Sequence, residues 1–200
     1  MRFRPASVFS IFILLAGAGW LAGSSGAISI SAAPQDSSAM PSAASVVKTR
    51  TYVSLEPVPA GKEFQAAVVV EIARGFHMNS NKPSDEYLIP TTLTAQVPAG
   101  FKVLDTIYPA GRLEKFSFSP NKPLDVYTGS VVLRLRLSAQ SDAKVGGTTI
   151  PMTLRYQACN DSACLPPVKV PVNVKFEIAA AGTAARVVHS EIFSAASPKN

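Results

Sequence analysis

Cysteine is scarce in this sequence: there are 2 among 200 residues, Cys159 and Cys164. Neither lies near the start of the chain, which excludes a lipid-modified cysteine there as an anchor. Charge is sparse as well, with 16% Asp, Glu, Lys and Arg, and the 19 basic residues are scattered singly. A net charge of +6 spread in that way forms no basic stripe for a nucleic-acid backbone, so it reads as a solubility trait. Also missing are an amphipathic helix of about ten residues or more, a glycine loop that would cradle phosphate, and a Ser, His and Asp set with a nucleophile elbow. Nucleotide binding and serine-hydrolase chemistry therefore find no support.

The one long apolar run is at the beginning. Arg2 and Arg4 precede Val8 through Leu21, and small residues follow around Ala27 and from Ser31 to Ala33. That order is a secretory signal peptide. A membrane anchor needs about 20 apolar residues and a polar stop, whereas Gly17, Gly19, Gly23 and Ser24 break this run early. We assign 1–33 to the signal and expect no membrane span once it is removed, hence a soluble exported protein. Residues 34–47 are Pro, Ser, Ala and Gln with almost no charge. They bury too little apolar surface to offset their ordering entropy and are expected to be a flexible leader.

Residues 48–178 differ in kind. Phe64, Ala66, Val68, Val70 and Ile72 alternate, as do Val131, Leu133, Leu135 and Leu137 against Arg134 and Arg136. Ile150, Met152, Leu154 and Tyr156 make a third ladder, and Val168 through Ile178 a fourth, opposed by Lys169, Asn173, Lys175 and Glu177. A period of two means half-buried antiparallel strands. Weaker strands are read at 52–55, 91–97, 101–108 and 113–118, separated by Pro98-Ala99-Gly100 and Pro109-Ala110-Gly111. Many short strands with Gly and Pro turns predict an all-β, immunoglobulin-like two-sheet sandwich, with a closed barrel as the alternative. The segment 179–200 turns small and polar apart from Val187, Val188, Ile192 and Phe193, and is either one short docking helix or a loose tail.

The chemistry-bearing block is Tyr156-Gln157-Ala158-Cys159-Asn160-Asp161-Ser162-Ala163-Cys164-Leu165-Pro166-Pro167. It closes one alternating strand and precedes the next, so both cysteines sit at a hairpin-like junction. In an oxidising compartment they are expected to pair. As a staple, so short a loop removes roughly 2 kcal/mol of unfolded-state entropy, and a domain of this size does not depend on such help for a core. A tight loop also suits a labile bridge open to exchange. The residues alone leave both roles open. Asp161 lies between the cysteines, and no Lys, Arg or His does, so neither thiol is expected to be strongly activated.

From about Phe64 to Phe176 the chain resembles the amino-terminal periplasmic domain of the thiol:disulfide interchange protein DsbD. The specific part is the Tyr-Gln-Ala-Cys and Cys-Leu-Pro-Pro block. Supporting pieces are Gly75-Phe76-His77-Met78, Ile89-Pro90-Thr91, Tyr108-Pro109 and Asp125-Val126-Tyr127-Thr128-Gly129. The resemblance implies an immunoglobulin-like domain that takes electrons from a thioredoxin-like donor and delivers them to periplasmic thiol proteins. It implies Cys164 as the cysteine that forms mixed disulfides and Cys159 as the resolving one. It further implies a cap over the bridge, with Phe116 as its aromatic residue, Glu114 as its acidic neighbour and Phe118 as the fallback, and it brings His77 and Asn79 close to the cysteines, beside Tyr156 and Asp161. The four residues between the cysteines are one fewer than in the best-known members. The membrane and thioredoxin-like domains usual in the family are absent before Asn200, so a free-standing version with an external donor is expected.

Competing readings are plainer. His77, Met78 and Met152 raise a copper site, but so few soft ligands without a repeat read as packing, and no metal or cofactor is expected. Phe116 and Phe118 alternate as on any strand with an apolar face, and Glu114 and Asp161 read as solvated carboxylates. Asn160-Asp161-Ser162 fits a glycosylation sequon inside a loop that a glycan would block. The rival function is a non-catalytic protein-binding module with a structural disulfide.

Overall fold

The alternation along the chain becomes strands whose apolar faces meet. The computed structural model describes residues 40–194, so the expected signal segment, the start of the leader and the end of the tail lie outside the described residues. In chain order the first strands are β1 (Val47–Val53), β2 (Leu55–Glu56), β3 (Val58–Pro59), β4 (Glu63–Ile72) and β5 (His77–Asn79). Next come β6 (Thr92–Ala95), β7 (Phe101–Ile107), β8 (Arg112–Phe116), β9 (Ser119–Tyr127) and β10 (Ser130–Ala139). The last are β11 (Gly146–Tyr156), β12 (Ala158–Cys159), β13 (Val168–Ala179) and β14 (Arg186–Val187), followed by the short helix α1 (Ser190–Phe193).

Two four-stranded sheets make the sandwich, ordered β1-β4-β10-β7 and β3-β13-β11-β6. The first is antiparallel, with Val68 opposite Leu133 and Ala66 opposite Leu135. The second pairs β11 with β13 along their length, from Gly146 opposite Ile178 to Tyr156 opposite Val168, and adds β3 in parallel. Phe176 joins the layers, its ring 5.1 Å from Phe64 and 6.0 Å from Phe101. Leu133, Leu135, Leu137, Ile150 and Leu154 are almost fully buried between them. Each such side chain contributes about 1.5–3 kcal/mol through the apolar surface it removes from water. The fold is thus the all-β, immunoglobulin-like sandwich expected.

Two ends differ from the boundaries read at 48 and 178. Ahead of Lys48, Ala43–Val46 form a turn of 3-10 helix and Val46 and Val47 are buried in the core. Beyond Ile178, β14 pairs with β2, and α1 is held to the first sheet by Arg134, whose guanidinium donates to the Phe193 carbonyl at 2.7 Å. The outward arginine of the β10 ladder therefore serves as the attachment point for the C-terminal segment.

A third sheet, ordered β12-β5-β9-β8, contributes Met78, Tyr127 and Ala158 to the sandwich core and carries Cys159, to which Cys164 is bonded. The turn into it requires Gly75, whose φ of 80° suits a residue without a Cβ, with the Phe76 N–H donating to the Ala73 carbonyl at 3.0 Å.

Candidate functional site

Cys159 and Cys164 form a disulfide, with Cα atoms 3.9 Å apart. The loop between them is built by local hydrogen bonds. The Asn160 N–H donates to the Ala163 carbonyl at 2.9 Å and the Leu165 N–H to the Ala158 carbonyl at 2.8 Å, a miniature hairpin. Asn160 Oδ1 accepts from the N–H groups of Ser162 and Ala163 at 2.9 and 2.8 Å, the usual use of Asn in a turn. The amide side chain of the sequon is thereby occupied in holding the loop.

The two sulfur-bearing residues stand in unlike surroundings. Cys159 is on β12, opposite His77 of β5, and is 1% exposed. Cys164 is exposed at the end of the loop, next to buried Leu165. Pro166 and Pro167 lack the N–H groups that would carry the strand pairing onward, so the chain leaves the bridge before β13 begins.

Alternation on β5 sends Met78 into the sandwich core and leaves His77 and Asn79 on the other face. Asn79 is buried, and its side-chain amide donates to the Ile89 carbonyl at 3.1 Å and to Gln157 Oε1 at 3.4 Å. It braces the strand. His77 is buried against aromatic rings, 4.0 Å from Phe116 and 6.5 Å from Phe118 between centroids, all close to parallel. Burial pushes its pKa down to about 4, against the pull of the Asp161 carboxylate.

β8 and β9 form a hairpin whose tip is Ser117-Phe118. Phe116 lies on the inner side of that tip in a small cluster with Leu88, Leu124 and Val126, whereas Phe118 is 45% exposed. The tip is fastened to the cysteine loop, because the Ser117 hydroxyl donates to the Asp161 carbonyl at 2.8 Å. Glu114, Asp161, Arg74, His77 and Phe116 share the wall of a cleft of about 490 Å³ beside it.

Of the residues read from sequence, the structure brings together Cys159, Cys164, His77, Phe116, Phe118, Glu114 and Asp161, with Asn79 behind them. Tyr156 is not part of this group. It is fully buried in the sandwich core, where its hydroxyl donates to the Ala43 carbonyl at 2.7 Å and burial pushes its pKa up to about 12. The period that put Ile150, Met152 and Leu154 inward carries Tyr156 with them, which is why its nearness in sequence to Cys159 does not make it a neighbour of the sulfurs. Met152 and Met78 likewise pack in the core, and no cluster of three or more His, Cys, Asp or Glu able to hold a metal occurs among the described residues. The sequence points neither to Ser117 nor to the loop-holding role of Asn160, which it marks only as a sequon. Asn160 carried a readable signal in the Asn-Asp-Ser turn composition; Ser117 carried none, because its partner is 44 positions away.

The family model described as thiol:disulfide interchange protein DsbD, N-terminal, matches residues 43–175. The chain is similar to the reduced DsbD N-terminal domain of Neisseria meningitidis, with 18% identity, coverage of 68% of this chain and 88% of that one, and a TM-score of 0.36. It is also similar to the N-terminal periplasmic domain of ScsB from Proteus mirabilis, with 12% identity, 64% and 46% coverage, and a TM-score of 0.43. A third similar structure is the complex between the DsbD and PilB N-terminal domains of Neisseria meningitidis, with 16% identity, 62% and 80% coverage, and a TM-score of 0.37. Among curated proteins none matches the chain.

Proposed function

The chain belongs to the DsbD N-terminal family of thiol-disulfide interchange proteins, and from that premise we propose that it is a periplasmic exchange protein that takes electrons from a thioredoxin-like donor and passes them to exported thiol proteins. The observation that carries the reading is the unequal exposure of the bridge: Cys164 faces solvent and Cys159 is 1% exposed. Attack on a disulfide runs along the S–S axis and expels the far sulfur. A donor thiolate reaching Cys164 therefore forms a mixed disulfide there and releases Cys159 as the thiolate. The donor's second thiol then displaces Cys164, leaving this protein a dithiol and the donor a disulfide. The reverse sequence, begun by the Cys164 thiolate on an acceptor's disulfide, hands the electron pair on.

The cysteine loop offers the sulfur while the Ser117-Phe118 tip, fastened to Asp161, limits approach from its side. Exchange at Cys164 needs no cofactor. No helix among the described residues is long and apolar enough to cross a membrane.

A redox titration against glutathione tests the proposal. Exchange function predicts a midpoint within the span from glutaredoxins to protein disulfide isomerase, roughly −230 to −180 mV. A midpoint below about −300 mV would leave the bridge a structural staple, as in the binding-module reading.

A further inference from the structure

His77 is 3% exposed, yet its Nε2 has no hydrogen-bond partner. A buried ring nitrogen in that condition bears a desolvation cost that folds ordinarily remove by pairing. The residue directly across from it in the β5–β12 ladder is Cys159. Cross-strand partners point to the same face with Cβ atoms about 4.5–5.5 Å apart. Because Met78 and Ala158, the adjoining pair, face the sandwich core, His77 and Cys159 both face the hairpin tip. In the oxidised protein the Cys159 sulfur is bonded to Cys164 and has no proton to donate. Opening the bridge creates a thiol opposite the unpaired nitrogen.

We propose that His77 Nε2 accepts the proton of the Cys159 thiol in the reduced protein and so readies Cys159 to resolve the mixed disulfide at Cys164. The inference rests on the exchange reading above. In the step, the Cys164 thiolate has already attacked a partner's disulfide, joined one of its sulfurs and released the other as a thiolate. Nε2 then takes the Cys159 proton, and the thiolate attacks the Cys164 sulfur. The Cys159–Cys164 bond forms, the Cys164–partner bond breaks, and the leaving sulfur carries off the electron pair and collects the proton from the imidazolium. One dithiol is oxidised and one disulfide reduced, with no further reactant.

The surroundings suit a proton held briefly. Asp161 of the cysteine loop and Glu114 of β8 line the same cleft and favour an imidazolium, Arg74 of the turn before β5 opposes it, and Phe116 and Phe118 shield the ring from water. In the closed-bridge state burial keeps the imidazole neutral near pH 7, with a pKa of about 4, so the nitrogen is free to accept. A thiolate formed about 4–6 Å away favours the protonated ring, and the two groups then titrate as a coupled pair.

The test is an NMR titration of the His77 ring in the oxidised protein and in protein reduced with dithiothreitol. Relative to the oxidised parent, the ring's midpoint is expected to stand at least about one pH unit higher in the reduced parent and in Cys164→Ala, which keeps the Cys159 thiol, and not in Cys159→Ala. A midpoint that is the same in both redox states overturns the proposal. As a second readout, His77→Phe keeps a ring under Phe116 without the nitrogen. It is expected to slow resolution of a preformed Cys164–nitrothiobenzoate adduct at least about tenfold near neutral pH, and an unchanged rate overturns the proposal equally. Both measurements use small thiols only. Failure to react with a thioredoxin-like protein would therefore sink the exchange reading while leaving these outcomes to judge His77 alone.

Discussion

Between the two large sheets, side chains from β4, β10, β11 and β13 interlock in a continuous apolar layer, with Leu133, Leu137, Ile150 and Leu154 at 0% exposure. Under the β8–β9 hairpin tip the buried cluster is only Leu88, Phe116, Leu124 and Val126, and partly exposed Phe118 lies over it. The first region holds the fold. The second holds a hairpin tip against the disulfide loop by ring stacking and one hydroxyl contact. A segment with so few buried contacts opens locally at far lower cost than the whole domain. Scaffold and site are thus separable, and substitutions should divide accordingly.

The sharpest division comes from truncating each region in turn. Leu135→Ala, at a site 1% exposed, is expected to cost about 2–5 kcal/mol of stability in urea denaturation, with the folded protein's bridge reduced by dithiothreitol at the unchanged rate. A pH effect should follow from the other region. His77 has a native pKa of about 4 against 6.5 for the free side chain. Between those values the unfolded chain binds the proton and the folded one does not, so stability falls as pH drops from about 6.5 to about 4 and this loss then levels off. The contribution is on the order of 3 kcal/mol. Denaturation of oxidised protein near pH 7.5 and near pH 4 should show a smaller loss in His77→Phe than in the parent. Smallest on an energy scale is Phe116→Ala, expected to speed reduction of the bridge by dithiothreitol about tenfold, equivalent to about 1.4 kcal/mol of barrier. Leu135→Ala accelerating reduction as much as Phe116→Ala would break the division.

The sandwich was legible because a half-buried strand must alternate, and β10, β11 and β13 do so over seven or more residues apiece, whereas β4 is buried on both faces from Ala66 to Val70. β9 was not legible along its whole length, since Pro120, Asn121, Lys122 and Pro123 carry turn chemistry, and the strand pairing with β5 and β8 runs through Ser119 and Leu124 to Tyr127 on either side of them. Docking of the C-terminal segment is not decided by local sequence, because it depends on Arg134 reaching the Phe193 carbonyl, a long-range contact that no local pattern announces. At the site, period two placed His77 and Asn79 on one face, and the family resemblance supplied the roles of the cysteines. Tyr156 belongs to the cysteine block by sequence, but its own ladder points it inward, and it lies in the sandwich core. The tether from Ser117 to Asp161 joins distant segments and became visible only in the folded chain.

The central claim is that Cys164 meets the partner and Cys159 resolves. It is tested most directly by mixing reduced single-cysteine variants with a thioredoxin-like protein that lacks its own resolving cysteine and carries its remaining thiol as a nitrothiobenzoate disulfide, and resolving the products on a non-reducing gel. The account predicts a stable mixed disulfide with Cys159→Ala and none with Cys164→Ser. A covalent complex that persists in Cys164→Ser and is missing in Cys159→Ala would contradict it.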